Sequence, residues 1–218
     1  MLERELQWER NLFFFLNGSD STFWDSFFYF YSYKWTWIPF YLCFLFVFIY
    51  RKTGAEFKND WKNIVWTILT VVAVVVLCDQ ISSGICKPLF QRFRPTHHPD
   101  FQDLVKIVFD KRGDQYGFIS GHAANSFGFA TLTALLFRNR LLTVALFLYA
   151  SLTAYSRIYL GLHFISDVVV GALAGMLIGY AGYRIYRWKA KKIVYPQWKI
   201  YLLSSAYLAT VVVLLFFK

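Results

Sequence analysis

Three short polar clusters carry the residue types needed to hold and cleave a phosphate ester. They are Lys87 with Arg94-Pro95, then Ser120-Gly121-His122, then Ser156-Arg157 followed by His163 and Asp167. A phosphoryl group under in-line attack spreads negative charge over its equatorial oxygens, and fixed cations with backbone N–H donors stabilise that charge without a metal. Lys87, Arg94 and Arg157 supply the cations, arginine being suited to two-point contact with phosphate oxygens. Ser120 and Gly121 stand at the start of an apolar run, where the N–H groups and dipole of a helix favour an anion. Gly121 also lets the backbone come close. His163 and Asp167 have the i, i+4 spacing that puts two side chains on one helical face. The carboxylate then takes the imidazole Nδ1 proton and leaves Nε2 as nucleophile, and His122 remains as general acid for the departing oxygen.

Taken singly, each residue has a plainer reading: interfacial anchors, an interfacial histidine, a hydrogen-bonded pair holding helix ends together. Anchoring accounts for Lys and Arg. It does not account for paired histidines and a carboxylate at the ends of apolar runs, where a bilayer disfavours charge.

The elements that must position these clusters are membrane helices. Hydrophobic residues make up 57% of the 218 positions, aromatic residues 22% and charged ones 17%, which describes an all-α polytopic membrane bundle in a single domain spanning residues 1–218. Six runs are long enough to cross about 30 Å of hydrocarbon: Trp35 to Tyr50, Asn63 to Ile85, Phe118 to Phe137, Leu141 to Arg157, Phe164 to Tyr186 and Ile200 to Phe217. Residues 1–34 alternate charge with apolar and aromatic side chains around the turn signal Asn17-Gly18-Ser19-Asp20 and read as amphipathic helices lying in the interface. The start, Met1-Leu-Glu-Arg-Glu, lacks a basic region ahead of an apolar one, so no cleaved signal peptide is expected.

The net charge of +10 sits beside the apolar runs, where it sets topology and meets anionic lipid, so no nucleic-acid partner is expected. Arg51, Lys52, Lys58 and Lys62, then Arg138 and Arg140, then Arg184, Arg187, Lys189, Lys191, Lys192 and Lys199 mark alternate connections as cytoplasmic. All three clusters, in residues 87–167, then face the other side, with His97 and His98.

The long connection from Pro88 to Gly117 carries Phe101, Leu104, Val105 and Val108 at i, i+3, i+4 and i+7, a helical turn or two. It is either a lid or lipid-access lip beside the pocket, or a surface helix without a gating role. His97-His98 with Asp100 lacks the i, i+4 spacing of ligands on one helical face, so no metal is expected there. Cys78 and Cys86 stand about 12 Å apart along a helix, too far to bridge, and with Cys43 they make an odd count.

Lys87-x6-Arg94-Pro95, Ser120-Gly121-His122 and Ser156-Arg157-x5-His163-x3-Asp167 together resemble the three-part signature of the type 2 phosphatidic acid phosphatases, which share their site with vanadium haloperoxidases. The family usually has proline before the serine of the second part; this chain has Ile119. It also usually places three spans before the first motif, where this chain gives two spans and interfacial helices. The resemblance implies a cofactor-independent membrane phosphatase that forms a phosphohistidine on His163. Asp167 would position His163, His122 would protonate the leaving group, and Lys87, Arg94, Ser120, Gly121 and Arg157 would bind phosphate. Family substrates include phosphatidic acid, phosphatidylglycerol phosphate, undecaprenyl pyrophosphate and lipid A phosphates. The expected setting is a bacterial inner membrane with the site facing the periplasm or exterior.

Rival functions are a lipid phosphotransferase using the same residues, a haloperoxidase, and a lipid transporter. Transporters often show internal repeats and helices broken near the midplane; here the polar residues sit at span ends and no repeat is seen.

Overall fold

The computed structural model describes residues 2–49, 57–189 and 195–216, so Tyr50, Arg51, Lys52, Lys191, Lys192 and Phe217 lie outside the described residues. The regular elements within it are helices. Two come first, Leu2–Leu16 (α1) and Thr22–Tyr31 (α2), joined at the anticipated turn. They do more than lie on a surface. Phe13 of α1 and Phe27, Phe28 and Tyr31 of α2 are buried against the end of the bundle. A 3₁₀ turn, Lys34–Trp37, leads into Ile38–Ile49 (α3).

Phe57–Asp79 (α4) runs through a π-helical stretch, Gln80–Cys86, into the single turn Lys87–Phe90 (α5). The helix stops where Gln91 takes a left-handed conformation, φ 45°. The remaining helices are Gly121–Phe137 (α6), Arg140–Tyr159 (α7), Ile165–Lys189 (α8) and Gln197–Leu214 (α9). Trp61–Phe90, Arg140–Tyr159, Ile165–Lys189 and Gln197–Leu214 are long and apolar enough to cross a membrane. The other two expected spans correspond to shorter helices, α3 with 12 residues and α6 with 17.

Packing within this bundle is aromatic on one side and glycine-driven on the other. Phe40, Phe44 and Phe48 recur at helical spacing along α3 and meet Phe129 and Phe137 of α6, Tyr149 of α7 and Tyr207 of α9. Between α6 and α8 the backbones themselves touch. A Cβ at Gly171, Gly175 or Gly179 would lie 2.6, 2.1 and 2.4 Å from the carbonyl oxygens of Ser120, Ala124 and Gly128 respectively. A glycine every fourth residue thus makes a bare stripe along α8 that receives α6, the means by which helices associate where the surrounding solvent is itself apolar.

The connection between α5 and α6 departs from expectation. It holds two short 3₁₀ turns, Pro95–His97 and Gln102–Leu104; Phe101, Val105 and Val108 are buried as the expected face requires, but Leu104 of the same face is exposed. The backbone of Lys106 is engaged elsewhere. Its N–H donates to Asn17 Oδ1 at 2.9 Å and its carbonyl accepts from Asn17 Nδ2 at 3.2 Å, so it is lost to a helical ladder. Asn17 Nδ2 also donates to the Tyr159 carbonyl, and Tyr159 and Lys106 both reach Asp25. The N-terminal pair of helices, the long connection and the end of α7 are thereby one assembly.

Gly175→Ala forces a methyl group against the Ala124 carbonyl and is expected to cost about 1–3 kcal/mol. The thermal midpoint in detergent and the rate of phosphate release should fall together. Gly84→Ala, which meets only the movable Gln80 side chain at 3.0 Å, should leave both near the parent values.

Candidate active site

All residues singled out in the sequence come to one end of the bundle. Lys87 lies on the turn that closes the first long span, His122 in the first turn of α6, Arg157 in the last turn of α7, and His163 just ahead of α8. Arg138 and Arg140, Lys189 and Lys199 gather at the other end, where Arg138 donates to the Tyr183 hydroxyl at 2.6 Å and Lys199 to the Val47 carbonyl at 2.9 Å.

His163 precedes Ile165, so it and Asp167 do not share a helical face as their spacing predicts. A turn brings them together instead. Gly161 takes a left-handed conformation, φ 73°, and Leu162 N–H donates to the Arg157 carbonyl, while Asp167 Oδ2 accepts from Phe164 N–H at 3.0 Å. That same oxygen faces His163 Nδ1 at 3.6 Å. A Cβ on Gly117 would lie 3.2 Å from Asp167 Oδ2 and 3.4 Å from His163 Nδ1, so a bare glycine lets the long connection close over the pair.

Burial and the positive charges of Arg94, Arg157 and Lys87 hold His163 well below the ordinary histidine range. It is therefore a neutral imidazole at physiological pH, with a lone pair available for attack.

Ser120 caps α6, its Oγ accepting from Ala123 N–H at 3.4 Å. The helix start is thus formed with Ile119 in the position the family usually gives to proline. Ser120's own N–H is already committed, donating to the Asp167 carbonyl at 2.9 Å. By helix geometry, the N–H groups of Gly121 and His122 are the ones left facing an anion. The lack of a side chain at Gly121 serves the approach of Ser82, whose Oγ would lie 2.8 Å from a Cβ there.

Two arginines line the pocket with little neutralisation. Arg94 is buried, held by the Tyr116 carbonyl at 3.1 Å and by the exposed Asp114 at 3.4 Å. Arg157 is buried, donates one bond to Ser32 Oγ, and leaves its Nε without a hydrogen-bond partner. Lys87 donates to Ser83 Oγ at 3.1 Å. His97 and His98 stand aside from this centre; His97 engages Thr96, and His98 stacks on Phe101 at 4.0 Å.

Four residues that sequence reasoning passed over belong to the site. Arg92 donates to Asp167 Oδ1 at 2.7 Å and to Glu9 Oε2 at 2.7 Å, Ser32 orients Arg157, and Lys111 approaches Arg157 and His122 while its ammonium sits 4.8 Å above the Tyr29 ring. The detectable signal for Arg92 is alternation. Residues 92–94 pair with 115–117 in extended form, and in such a stretch Arg92 and Arg94 point the same way.

From His122 an apolar cleft of about 600 Å³ runs down α6. Its walls are Phe44 and Phe48 of α3, Ile68, Val71 and Val75 of α4, and Phe129 of α6, with Asn125 and Ser126 beside His122, and Lys34 also lines it. His122 thus stands between the cations gathered around His163 and a slot suited to hydrocarbon.

Comparison with known proteins agrees with this arrangement. A profile of the PAP2 superfamily matches residues 64–191, and the chain belongs to that family. It is 40% identical over 185 residues to the lipid A 4'-phosphatase of Porphyromonas gingivalis, a match covering 85% of this chain and 75% of that protein. It is 36% identical over 180 residues to the lipid A 4'-phosphatase of Bacteroides thetaiotaomicron, covering 82% and 75%. The crystal structure of Aquifex aeolicus LpxE superposes with a TM-score of 0.58 at 30% identity, covering 80% of this chain and 93% of the other. The protein is a bacterial membrane lipid phosphatase of the PAP2 type, a hydrolase of phosphoester bonds.

Lys111 carries a test of the pocket's electrostatics. Burial, then the charge of Arg157, pushes its ammonium down to about 8, so it loses its charge as pH rises through that value. The value of kcat/KM should fall on the alkaline side with a midpoint near 8, and Lys111→Arg should carry the limb above about pH 9 because guanidinium keeps its proton. The folded chain also holds fewer protons than the unfolded chain between about 8 and about 10.4, so Lys111 should make stability rise with pH across that window.

Proposed function

We propose that the protein removes the 4'-phosphate of lipid A at the outer leaflet of a bacterial inner membrane, through a phosphohistidine on His163. The observation that carries this reading is the junction at His122 between the cation-lined pocket and the apolar cleft. A soluble phosphomonoester has no use for a slot of this kind, whereas a lipid places its acyl chains there and its phosphate in the pocket. The 4' position is supported by the names of the two bacterial relatives. Orientation rests on the basic residues at the opposite end of the bundle, which favour the cytoplasmic side.

Lys87, Arg94, Arg157 and the N–H groups of Gly121 and His122 hold the phosphate oxygens. His163 Nε2 attacks phosphorus as the ester P–O bond breaks, and His122, able to carry a proton once the bound phosphate offsets the charge of Arg157 beside it, delivers that proton to the departing sugar oxygen. Asp167 Oδ2, facing Nδ1, stabilises the positive charge that develops on the imidazole. Water then attacks the phosphohistidine, His122 accepts its proton, the N–P bond breaks, and phosphate leaves. The charge relief needed in both steps comes from side chains and helix N–H groups of the chain itself.

The experiment is phosphate release by purified protein from lipid A, phosphatidic acid, phosphatidylglycerol phosphate and undecaprenyl pyrophosphate, with products identified by mass spectrometry. Loss of the 4'-phosphate from lipid A should be fastest. Release from phosphatidic acid with lipid A untouched would reject the substrate assignment, and labelled phosphate appearing on a second lipid would establish transfer in place of hydrolysis.

The two histidines should separate by leaving group. His122→Ala should impair lipid turnover far more than turnover of an aryl phosphate, whose phenolate leaves without a proton, by about 10²-fold or more in kcat/KM. His163→Ala should abolish both, since a better leaving group cannot replace a nucleophile. Equal losses on the two substrates for His122→Ala would refute its assignment as the acid.

A further inference from the structure

The N-terminal helix delivers a carboxylate to the catalytic end. Glu9 of α1 is buried, with 6% of its surface exposed, and both of its oxygens are engaged. Oε2 accepts from Arg92 Nη2 at 2.7 Å, and Oε1 accepts from the Ser166 N–H at 2.7 Å, in the first turn of α8. Arg92 Nη1 donates in turn to Asp167 Oδ1 at 2.7 Å and to Ser166 Oγ at 2.5 Å. The guanidinium lies 4.5 Å from the centroid of the Phe164 ring. A chain of alternating charge therefore runs from α1 through the long connection to α8 and ends on the imidazole of His163.

Its arrangement divides labour between the two oxygens of Asp167. Arg92 fixes Oδ1, and Oδ2 remains directed at His163 Nδ1. Without Arg92 the carboxylate is a buried anion tied only to Phe164 N–H, able to turn about its own bond. With Arg92 but without Glu9, the whole guanidinium charge falls on Asp167 and weakens its pull on the imidazole. Glu9 thus sets how much negative charge Asp167 presents.

We propose that Arg92 and Glu9 are positioning residues for the His163–Asp167 pair, with Glu9 acting through Arg92 and through the first turn of α8. The proposal rests on His163 being the nucleophile, as in the proposed function above. Neither residue reaches the phosphate-binding cations, so the two should alter chemistry and leave phosphate affinity in place.

The charged and titratable groups around His163 are Asp167 from α8, Arg94 from the long connection, Arg157 from α7, Lys87 from α5 and His122 from α6. Against that fixed background the two substitutions have opposite signs. Arg92→Gln removes a cation and leaves Asp167 to the imidazole, which stabilises imidazolium and moves the acidic limb of kcat/KM to higher pH. Glu9→Gln removes an anion and gives Arg92 wholly to Asp167, which moves the limb to lower pH. Shifts of about half a unit or more are expected in each direction. Glutamine at position 9 keeps an acceptor for Ser166 N–H, so α8 retains its contact.

The experiment uses the full chain in detergent with an aryl phosphate and with lipid A, from pH 4 to pH 9, and vanadate as phosphate mimic. Expected are falls in kcat of about ten-fold for both glutamine variants, KM and vanadate inhibition within about two-fold of the parent, and limb shifts of opposite sign. Arg92→Lys, which keeps the charge, should hold the limb near the parent position while recovering only part of kcat. Limbs that stay in place, or that move the same way in both variants, would overturn the inference. So would vanadate affinity falling in step with kcat. If these failures occur while His163→Ala is inactive, the positioning idea alone falls; if His163→Ala still turns over, the nucleophile assignment falls and takes the inference with it.

Discussion

The close approach of α6 and α8 across Gly171, Gly175 and Gly179 is the constraint on which the catalytic geometry depends. These helices carry His122 and Asp167, and α8 is preceded directly by His163. With an ordinary side chain at any of the three glycines, the axes would have to separate. The Ser120 N–H to Asp167 carbonyl bond, at 2.9 Å, could not then form. That bond ties the start of one helix to the start of the other, so His122 and His163, the proposed acid and nucleophile, keep their register. Hydrophobic association does not bring helices together in lipid; close van der Waals contact does. The bare stripe on α8 therefore serves the chemistry as well as the fold.

Much of the site was legible in the sequence because its residues stand at helix ends, and helix ends are visible as the limits of apolar runs. Lys87, Arg94, His122, Arg157, His163 and Asp167 all come to one end, as the alternation of basic connections required. The details that failed did so for local reasons. The spacing of His163 and Asp167 suggested a helical face, but the turn at Gly161 ends one helix and α8 begins only at Ile165. The pattern Phe101, Leu104, Val105, Val108 marked three residues that turn inward, but Leu104 is exposed and no helix forms, since Asn17 takes both backbone groups of Lys106.

What the sequence concealed has a common cause. Glu9 sits in a helix whose polar residues look like a solvated face, and Arg92 lies two residues before an arginine that already had a role. Long-range pairing gives each its meaning, through bonds spanning 83 and 75 residues. Ser32 and Arg157 are 125 residues apart. No local periodicity encodes such contacts. The glycine repeat on α8 has a local spacing of four, yet its partners are backbone carbonyls of α6, which no side-chain pattern marks.

The charges at this end of the bundle form two layers with different rules. Glu9, Arg92 and Asp167 alternate in sign and satisfy one another, as buried ions must if their burial is not to cost several kcal/mol each. Lys87, Arg94 and Arg157 do not. Among the described residues, Arg94 has only the exposed Asp114 at 3.4 Å, and neither Lys87 nor Arg157 forms an ion pair. The carboxylates have been concentrated on the supporting layer, leaving the phosphate layer electrostatically unsatisfied. This imbalance does two things before substrate arrives: it reinforces burial in keeping His163 unprotonated, and it leaves a pocket whose missing charge a phosphate dianion supplies. Binding then relieves the repulsion among the three cations. In the proposed mechanism it also offsets the part of the resistance to positive charge on His163 that these cations add to burial. The same three side chains thus add to burial in holding His163, the proposed nucleophile, neutral in the empty site, and oppose its charge less in the occupied one, with the change carried by the substrate itself.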